Sequence, residues 1–239
     1  MKRAILLAIS LFLGTVAVCH GEEAWNPGNL LAKSRASYEK VSDYRCLFHK
    51  KELIRGKLRE ERAILLKFKK PASFYLKYTE GKNAGVEAIY VEGKYNDELE
   101  VHLSGLLSFI SLGIDPRGSL ALRNNRHPIM EAGTGHILQL IEKNYRMAQG
   151  DKESRITFEG ESVADGEKAL LFKGIFPKGK GYYGHTVLVW FDRSLLLPVK
   201  ITVYGWDNEF LEEYSFKEIK LNVGLTERDF DKANPEYHF

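Results

Sequence analysis

The fold is decided by residues 182–216, which read Tyr182-Tyr183-Gly184-His185-Thr186-Val187-Leu188-Val189-Trp190-Phe191-Asp192-Arg193, then Leu195-Leu196-Leu197-Pro198-Val199-Lys200-Ile201, then Tyr204-Gly205-Trp206-Asp207-Asn208-Glu209-Phe210-Leu211-Glu212-Glu213-Tyr214-Ser215-Phe216. Short apolar and aromatic runs alternate here with brief polar connections, the pattern of antiparallel strands joined by tight turns. Residues 187–191 are apolar on both parities, which predicts a strand covered on both faces. Asp207-Asn208 marks a hairpin. Beyond it Tyr214 and Phe216 alternate with Glu213, Ser215 and Lys217, so one face looks inward and the other to solvent.

The same period extends outward from this stretch. Ile156 and Phe158 alternate with Arg155 and Glu159, and Asp165-Gly166 reads as a hairpin turn. Near the start, Tyr44, Cys46 and Phe48 share one parity, and Arg55-Gly56-Lys57 makes a turn. Ile64, Leu66 and Phe68 oppose Lys67 and Lys69; Pro71 breaks the run, and Phe74, Leu76 and Tyr78 open another strand. Residues 87–91 and 95–103 continue the sheet. Asn26-Pro27 predicts a capped helix over residues 28–40, with Leu31, Ala32, Tyr38 and Val41 at roughly helical spacing. A second helix is expected from near Thr134, after Gly133, through Ile137, Leu140, Ile141 and Tyr145.

These patterns predict an α+β fold: a strongly curved antiparallel sheet of about 9–11 strands, an incomplete barrel, with helices against its concave face. Residues 1–21 have the layout of a cleaved export signal, with Lys2 and Arg3 ahead of an apolar run. Residues 22–239 are then expected to form a single domain in the periplasm. Losing the leader removes two positive charges and no acids, lowering the net charge from +3 to +1. A nearly neutral chain has no bulk electrostatic reason to bind nucleic acid. Cys19 leaves with the leader, so Cys46 stands alone in a strand pattern as a buried, inert thiol.

A curved sheet only partly filled by its helices leaves an apolar hollow, whereas full packing leaves a dry core. Residues 105–114 are apolar on nearly all sides and fit a lid or plug. Leu106, Leu107, Phe109, Ile110 and Leu112 are therefore the candidate lining or lid residues, and Asp115, Arg126, His127 and Glu131 a candidate polar mouth. A metal reading of His127, Glu131 and His136 is disfavoured, because five-residue spacing puts His136 off the face shared by the other two. Arg126 and His127 are expected instead to bond loop carbonyls or an acid such as Asp115. Gly174-Ile175-Phe176-Pro177-Lys178-Gly179-Lys180-Gly181 nearly spells a phosphate-binding loop. Gly181 stands where a hydroxyl is needed and a strand follows, so it reads as a hairpin loop, with Tyr182 and Tyr183 towards a membrane or partner. No nucleophile motif of a serine hydrolase occurs, and no catalytic residue is expected.

Several segments carry a family resemblance. Trp190-Phe191-Asp192 with Leu197-Pro198-Val199-Lys200 resembles the late hairpin of LolA-like carriers of lipids and lipoproteins. Tyr214-Ser215-Phe216, Ile219 and Asn222, followed by Leu225 and Asp229-Phe230, resembles their closing strand and tail. Asp115-Pro116-Arg117-Gly118 and Asn125-Arg126-His127-Pro128-Ile129-Met130-Glu131-Ala132-Gly133 resemble an uncharacterised family of secreted bacterial proteins of the same half-barrel fold. The resemblance implies non-catalytic binding or transport of a lipid, lipoprotein or other acylated ligand, without a cofactor or metal. It implies as partners a lipid or acylated lipoprotein, and an envelope protein, for a monomeric chain. An envelope scaffold with a filled core is the alternative.

Overall fold

The structure is a computed structural model that describes residues 25–239; the expected export signal and Cys19 lie outside them. Helix α1 (Pro27–Glu39) opens the described chain. The Asn26 side chain accepts the Asn29 N–H at 3.0 Å, and the Asn29 side chain accepts the Asn26 N–H at 3.1 Å. This reciprocal cap, with Pro27 in the first turn, fixes where the helix begins.

The strands follow as β1 (Asp43–Ile54), β2 (Lys57–Lys69), β3 (Ser73–Tyr78), β4 (Glu87–Val91), β5 (Leu99–His102) and β6 (Ser111–Ile114). Helix α2 (Thr134–Gln149) comes next, then β7 (Arg155–Ala164), β8 (Glu167–Ile175), β9 (Thr186–Asp192), β10 (Pro198–Tyr204) and β11 (Phe210–Leu221). The strands form one antiparallel sheet in the order β6-β5-β4-β3-β2-β1-β11-β10-β9-β8-β7. It is two up-and-down meanders sewn together along β1 and β11, with the middle of the chain at both edges.

Turn chemistry sets the registers. Arg55 and Gly56 both have positive φ (50° and 73°), as do Asp165 and Gly166 (52° and 97°). Two left-handed residues between paired strands give the hairpin turn whose twist matches the strands. Residues 95–97, expected as strand, instead form a left-handed turn, and β5 begins only at Leu99.

The sheet is open and curled. Leu99 of β5 and Val187 of β9 line one pocket although seven strand steps separate them, roughly 34 Å in a flat sheet. Both helices lie on the inward face. Leu30 and Leu31 of α1 and Ile137 and Leu138 of α2 share a core with Tyr44, Ile64, Phe74, Leu170, Phe191 and Phe216. Gly135 makes the helix contact possible, since a Cβ there would run into the Tyr38 ring. Cys46 is buried and free, and burial pushes its thiol pKa up.

The outer face has cover of its own. Trp190 packs with Ala164, Ala169 and Val199, so β9 is covered on both sides, as its sequence predicts. The tail beyond β11 crosses the outer face of β2–β4: Tyr237 stacks on Tyr75 at 4.1 Å, and Lys67 meets Asp229 at 2.8 Å.

Leu138 is 0% exposed and Leu106 is 96% exposed. In urea unfolding, Leu138→Ala should cost about 2–5 kcal/mol, whereas Leu106→Ala should stay within about 0.5 kcal/mol. Equal losses would contradict this placement of the core.

Candidate functional site

Inside the curl lies a pocket of about 330 Å³. Its wall is apolar, formed by Phe48, Leu76, Leu99, Ile137, Ile201 and Phe216, among others. One end is polar and built from residues on four segments: Lys50 and Glu52 of β1, Glu212 and Tyr214 of β11, Tyr183 of the β8–β9 loop, and residues 125–136 ahead of and within α2.

Strand pairing creates this polar end. In β1, Lys50 and Glu52 continue the inward parity of Cys46 and Phe48; in β11, Glu212 and Tyr214 precede Phe216. Glu52 stands directly opposite Glu212, and Lys50 opposite Tyr214. Two carboxylates are thus forced together at 3% and 4% exposure. Such an arrangement holds only with cations and donors around it.

Arg126, His127 and Tyr214 supply them. The Arg126 Nε donates to Glu212 at 2.9 Å, its Nη1 to the Leu53 carbonyl at 2.8 Å, and its backbone N–H to Glu52 at 3.2 Å. His127 bridges two acids, with Nδ1 3.0 Å from Glu131 and Nε2 3.0 Å from Glu212. Tyr214 donates to Glu52 at 2.5 Å and Tyr183 to Glu212 at 2.8 Å. Lys50 lies 3.5 Å from Glu52 and bonds the Asn125 side chain.

The protonation states follow from these contacts. Burial works to lower the His127 pKa, but the hydrogen bonds and charges of Glu212 and Glu131 outweigh it and hold the pKa above the ordinary 6.5. Burial works to raise the Glu212 pKa; His127, Tyr183 and Arg126 together pull it below the usual carboxylate value. Burial, with Glu212 and Glu52 beside it, drives the Tyr214 hydroxyl up, so Tyr214 remains a donor. His136 is shifted down, chiefly by burial, and faces the pocket as a neutral ring. Lys50, Arg126 and His127 thus face Glu52, Glu212 and Glu131, with Arg117 3.6 Å from Glu131.

The sequence-predicted residues are divided by the structure. Arg126, His127 and Glu131 come together at the polar end; His127 and Glu131 line the pocket, while Arg126 braces it from behind. Asp115 is exposed and accepts the Arg117 N–H at 2.9 Å, holding its own turn. The acid that meets Arg126 and His127 is therefore Glu212 rather than Asp115, and the carbonyl that Arg126 bonds is that of Leu53 near the end of β1 rather than one in a loop. Leu106, Leu107, Phe109, Ile110 and Leu112 are not among the pocket-lining residues. They belong to the β5–β6 hairpin, with Leu106 and Leu107 in the 3₁₀ turn at its tip and Leu112 in β6.

Of the two loop tyrosines, Tyr182 turns inward rather than towards a membrane or partner, whereas Tyr183 stays 44% exposed while its hydroxyl reaches the pocket. Tyr182 is buried and stacks on Phe176 at 4.5 Å, and Tyr183 bonds Glu212. Among the described residues, no group of three or more His, Cys, Asp or Glu is placed to hold a metal ion. His136 Nε2 does approach Glu131 at 3.7 Å. Sequence reasoning missed Lys50, Glu52, Glu212 and Tyr214 as site residues. Their signal was charge on the inward parity of strands that are otherwise apolar there.

Comparison with known proteins places the fold beside solved bacterial structures. A structure of MucB aligns with a TM-score of 0.50 at 13% identity, covering 86% of this chain and 61% of that one. LppX, a lipoprotein of Mycobacterium tuberculosis, aligns at 0.49 and 13%, covering 86% of this chain and 100% of its own. A putative outer membrane lipoprotein-sorting protein domain from Vibrio parahaemolyticus aligns at 0.40 and 14%, covering 87% and 98%. No curated protein matches the sequence.

The His127–Glu212 pair predicts a pH signature, given every charged or titratable group that faces it: Glu131, Arg126, Tyr183, Tyr214, His136 and, through Glu131, Arg117. A raised His127 pKa gives stability that is complete below 6.5 and lost as pH rises through the folded value. A lowered Glu212 pKa gives stability that is complete above 4.5 and lost as pH falls through its folded value. The stability gap between wild type and His127→Gln should therefore peak between those two pH values and shrink at pH 8.5. A gap that widens towards pH 8.5 would contradict the charged pair.

The chain belongs to the DUF1571 family, described as proteins of unknown function, whose family model matches residues 41–239.

Proposed function

We propose that this DUF1571 member is a non-catalytic binding or transport protein of the periplasm, whose hollow takes the acyl chain of a lipid, lipoprotein or other acylated molecule. The observation that carries this reading is the pocket of about 330 Å³ with an apolar wall and one polar end. That volume lies within the range of ligand sites, and each methylene moved into such a wall contributes about 0.8 kcal/mol.

The polar end bears on the head group. Lys50, Arg126 and His127 are already matched to Glu52, Glu212 and Glu131 there, with Arg117 beside Glu131 and Lys143 at the wall, so the cluster favours an uncharged or zwitterionic head that exchanges hydrogen bonds with Asn125, His136 or Lys50. A buried ion network is weak as a source of stability. Its presence on the inward face is better understood as recognition. Catalysis draws little support, since both ring nitrogens of His127 are engaged by carboxylates, and the Tyr183 hydroxyl beside it donates to Glu212 with its pKa driven up by burial. The envelope assignment is supported by the leader-like residues 1–21 and by the lipoprotein descriptions of LppX and the Vibrio domain.

Displacement of an environment-sensitive fatty-acid probe tests the proposal. Wild type should bind the probe, and Ala88→Phe, which fills the wall beside Leu76 and Leu99, should weaken binding at least about tenfold while staying folded by circular dichroism. A probe that ignores wild type, or binds both proteins equally, would leave the filled-core scaffold as the better reading.

A further inference from the structure

The β5–β6 hairpin carries the most conspicuous feature outside the pocket. Leu106 is 96% exposed and Phe109 82%, with Leu107 and Leu112 also exposed. Three large apolar side chains within four residues stand on a 3₁₀ turn at the tip, with no described element packed over them. Full exposure of this much apolar surface is unfavourable unless something takes it out of water.

The tip's neighbours identify what that something is. Strand polarity places the β1–β2, β3–β4, β5–β6, β8–β9 and β10–β11 connections at one end of the sheet. Gly85 of the β3–β4 loop lies close to Ser104 at the base of the hairpin, where an added Cβ would crowd it. These connections and the strand ends beside them carry exposed Leu58 and the exposed cations Arg55, Lys57, Arg62, Lys82, Lys178 and Lys180, against the exposed acids Glu60, Glu80, Asp207 and Glu209. Half-buried Arg59 and Glu61 cancel, so this end is positive by two charges. The pocket's polar end belongs here too: Tyr183 sits in the β8–β9 loop, and Arg126 grips the Leu53 carbonyl beside the β1–β2 turn.

We infer that the hairpin tip inserts into the surface of a lipid bilayer containing anionic lipid, bringing the pocket mouth to the membrane. The side chains stand almost wholly exposed at a hairpin tip, the geometry that enters a deformable acyl boundary rather than an ordered protein surface. The basic rim supplies the second attraction that shallow insertion needs, through anionic head groups. The inference deepens the ligand reading, on which it rests only for the purpose of docking. The residues offered for insertion are distinct from those that line the pocket.

Protein purified from cells expressing the full chain is sedimented with vesicles of phosphatidylethanolamine and phosphatidylglycerol, and with phosphatidylcholine alone. Wild type should favour the anionic vesicles and release in high salt. Leu106→Asp/Phe109→Asp should bind them at least about tenfold less with an unchanged melting temperature. The tip is solvent-exposed, so folding is expected to survive; as a second reading, Phe109→Trp should show emission shifted to the blue on the same vesicles. Wild type that ignores anionic vesicles, a double variant that binds as wild type does, or an unshifted Phe109→Trp would overturn the inference. Lipid extracted from the same samples keeps the two readings apart. A double variant that leaves the vesicles but still holds bound lipid separates docking from binding. Vesicle binding by a protein that holds no lipid would sink the ligand reading alone.

Discussion

The pairing of β1 with β11 is the constraint on which the rest depends. It joins the first strand of the described chain to its last, across more sequence than any other contact in the sheet. Each meander could form locally, but neither alone encloses anything. Closing the seam costs loop entropy that only the shared core can offset. Once closed, it fixes the register that sets Glu52 against Glu212 and Lys50 against Tyr214. Fold and site are consequences of the same ladder.

That coupling explains why the polar cluster sits where it does. On a curled sheet, inward parity means burial, and most inward positions obey it: Tyr44, Cys46, Phe48, Ile64, Leu66 and Phe216 are core. At the end of the seam the chain places acids on that parity and surrounds them with Arg126, His127, Tyr183 and Tyr214. The segment around Arg126 reaches across from the edge strand to brace the centre of the sheet. The long insert between β6 and β7 is therefore a structural tie as well as the carrier of α2.

Period-two patterning was enough to read most of the strands, because an inward face and a wet face alternate along nearly all of them. Strand β6, however, lies within the run 105–114, which reads as a lid or plug. Asn26-Pro27, Arg55-Gly56 and Asp165-Gly166 announced their cap and turns by chemistry that few other residues provide. The left-handed turn at residues 95–97 was missed although Asn96-Asp97 offers the same turn chemistry as Asp207-Asn208, because the run also reads as a continuation of the sheet. His127 with Arg126 and Glu131 was legible as a polar group near a hollow. Glu212 was not, because its role depends on a partner strand far away in sequence. Residues 105–114 show the limit most clearly: an apolar run shows that water is to be avoided, not whether the chain itself provides the shelter.

The central claim is that the hollow holds an acyl ligand. Native mass spectrometry of the protein, isolated without detergent from cells expressing the full chain, tests it most directly when joined to lipid analysis of an organic extract. A stoichiometric adduct that extracts as an uncharged or zwitterionic lipid or acylated molecule is the predicted result. A bare mass that stays bare after incubation with such lipids would contradict it.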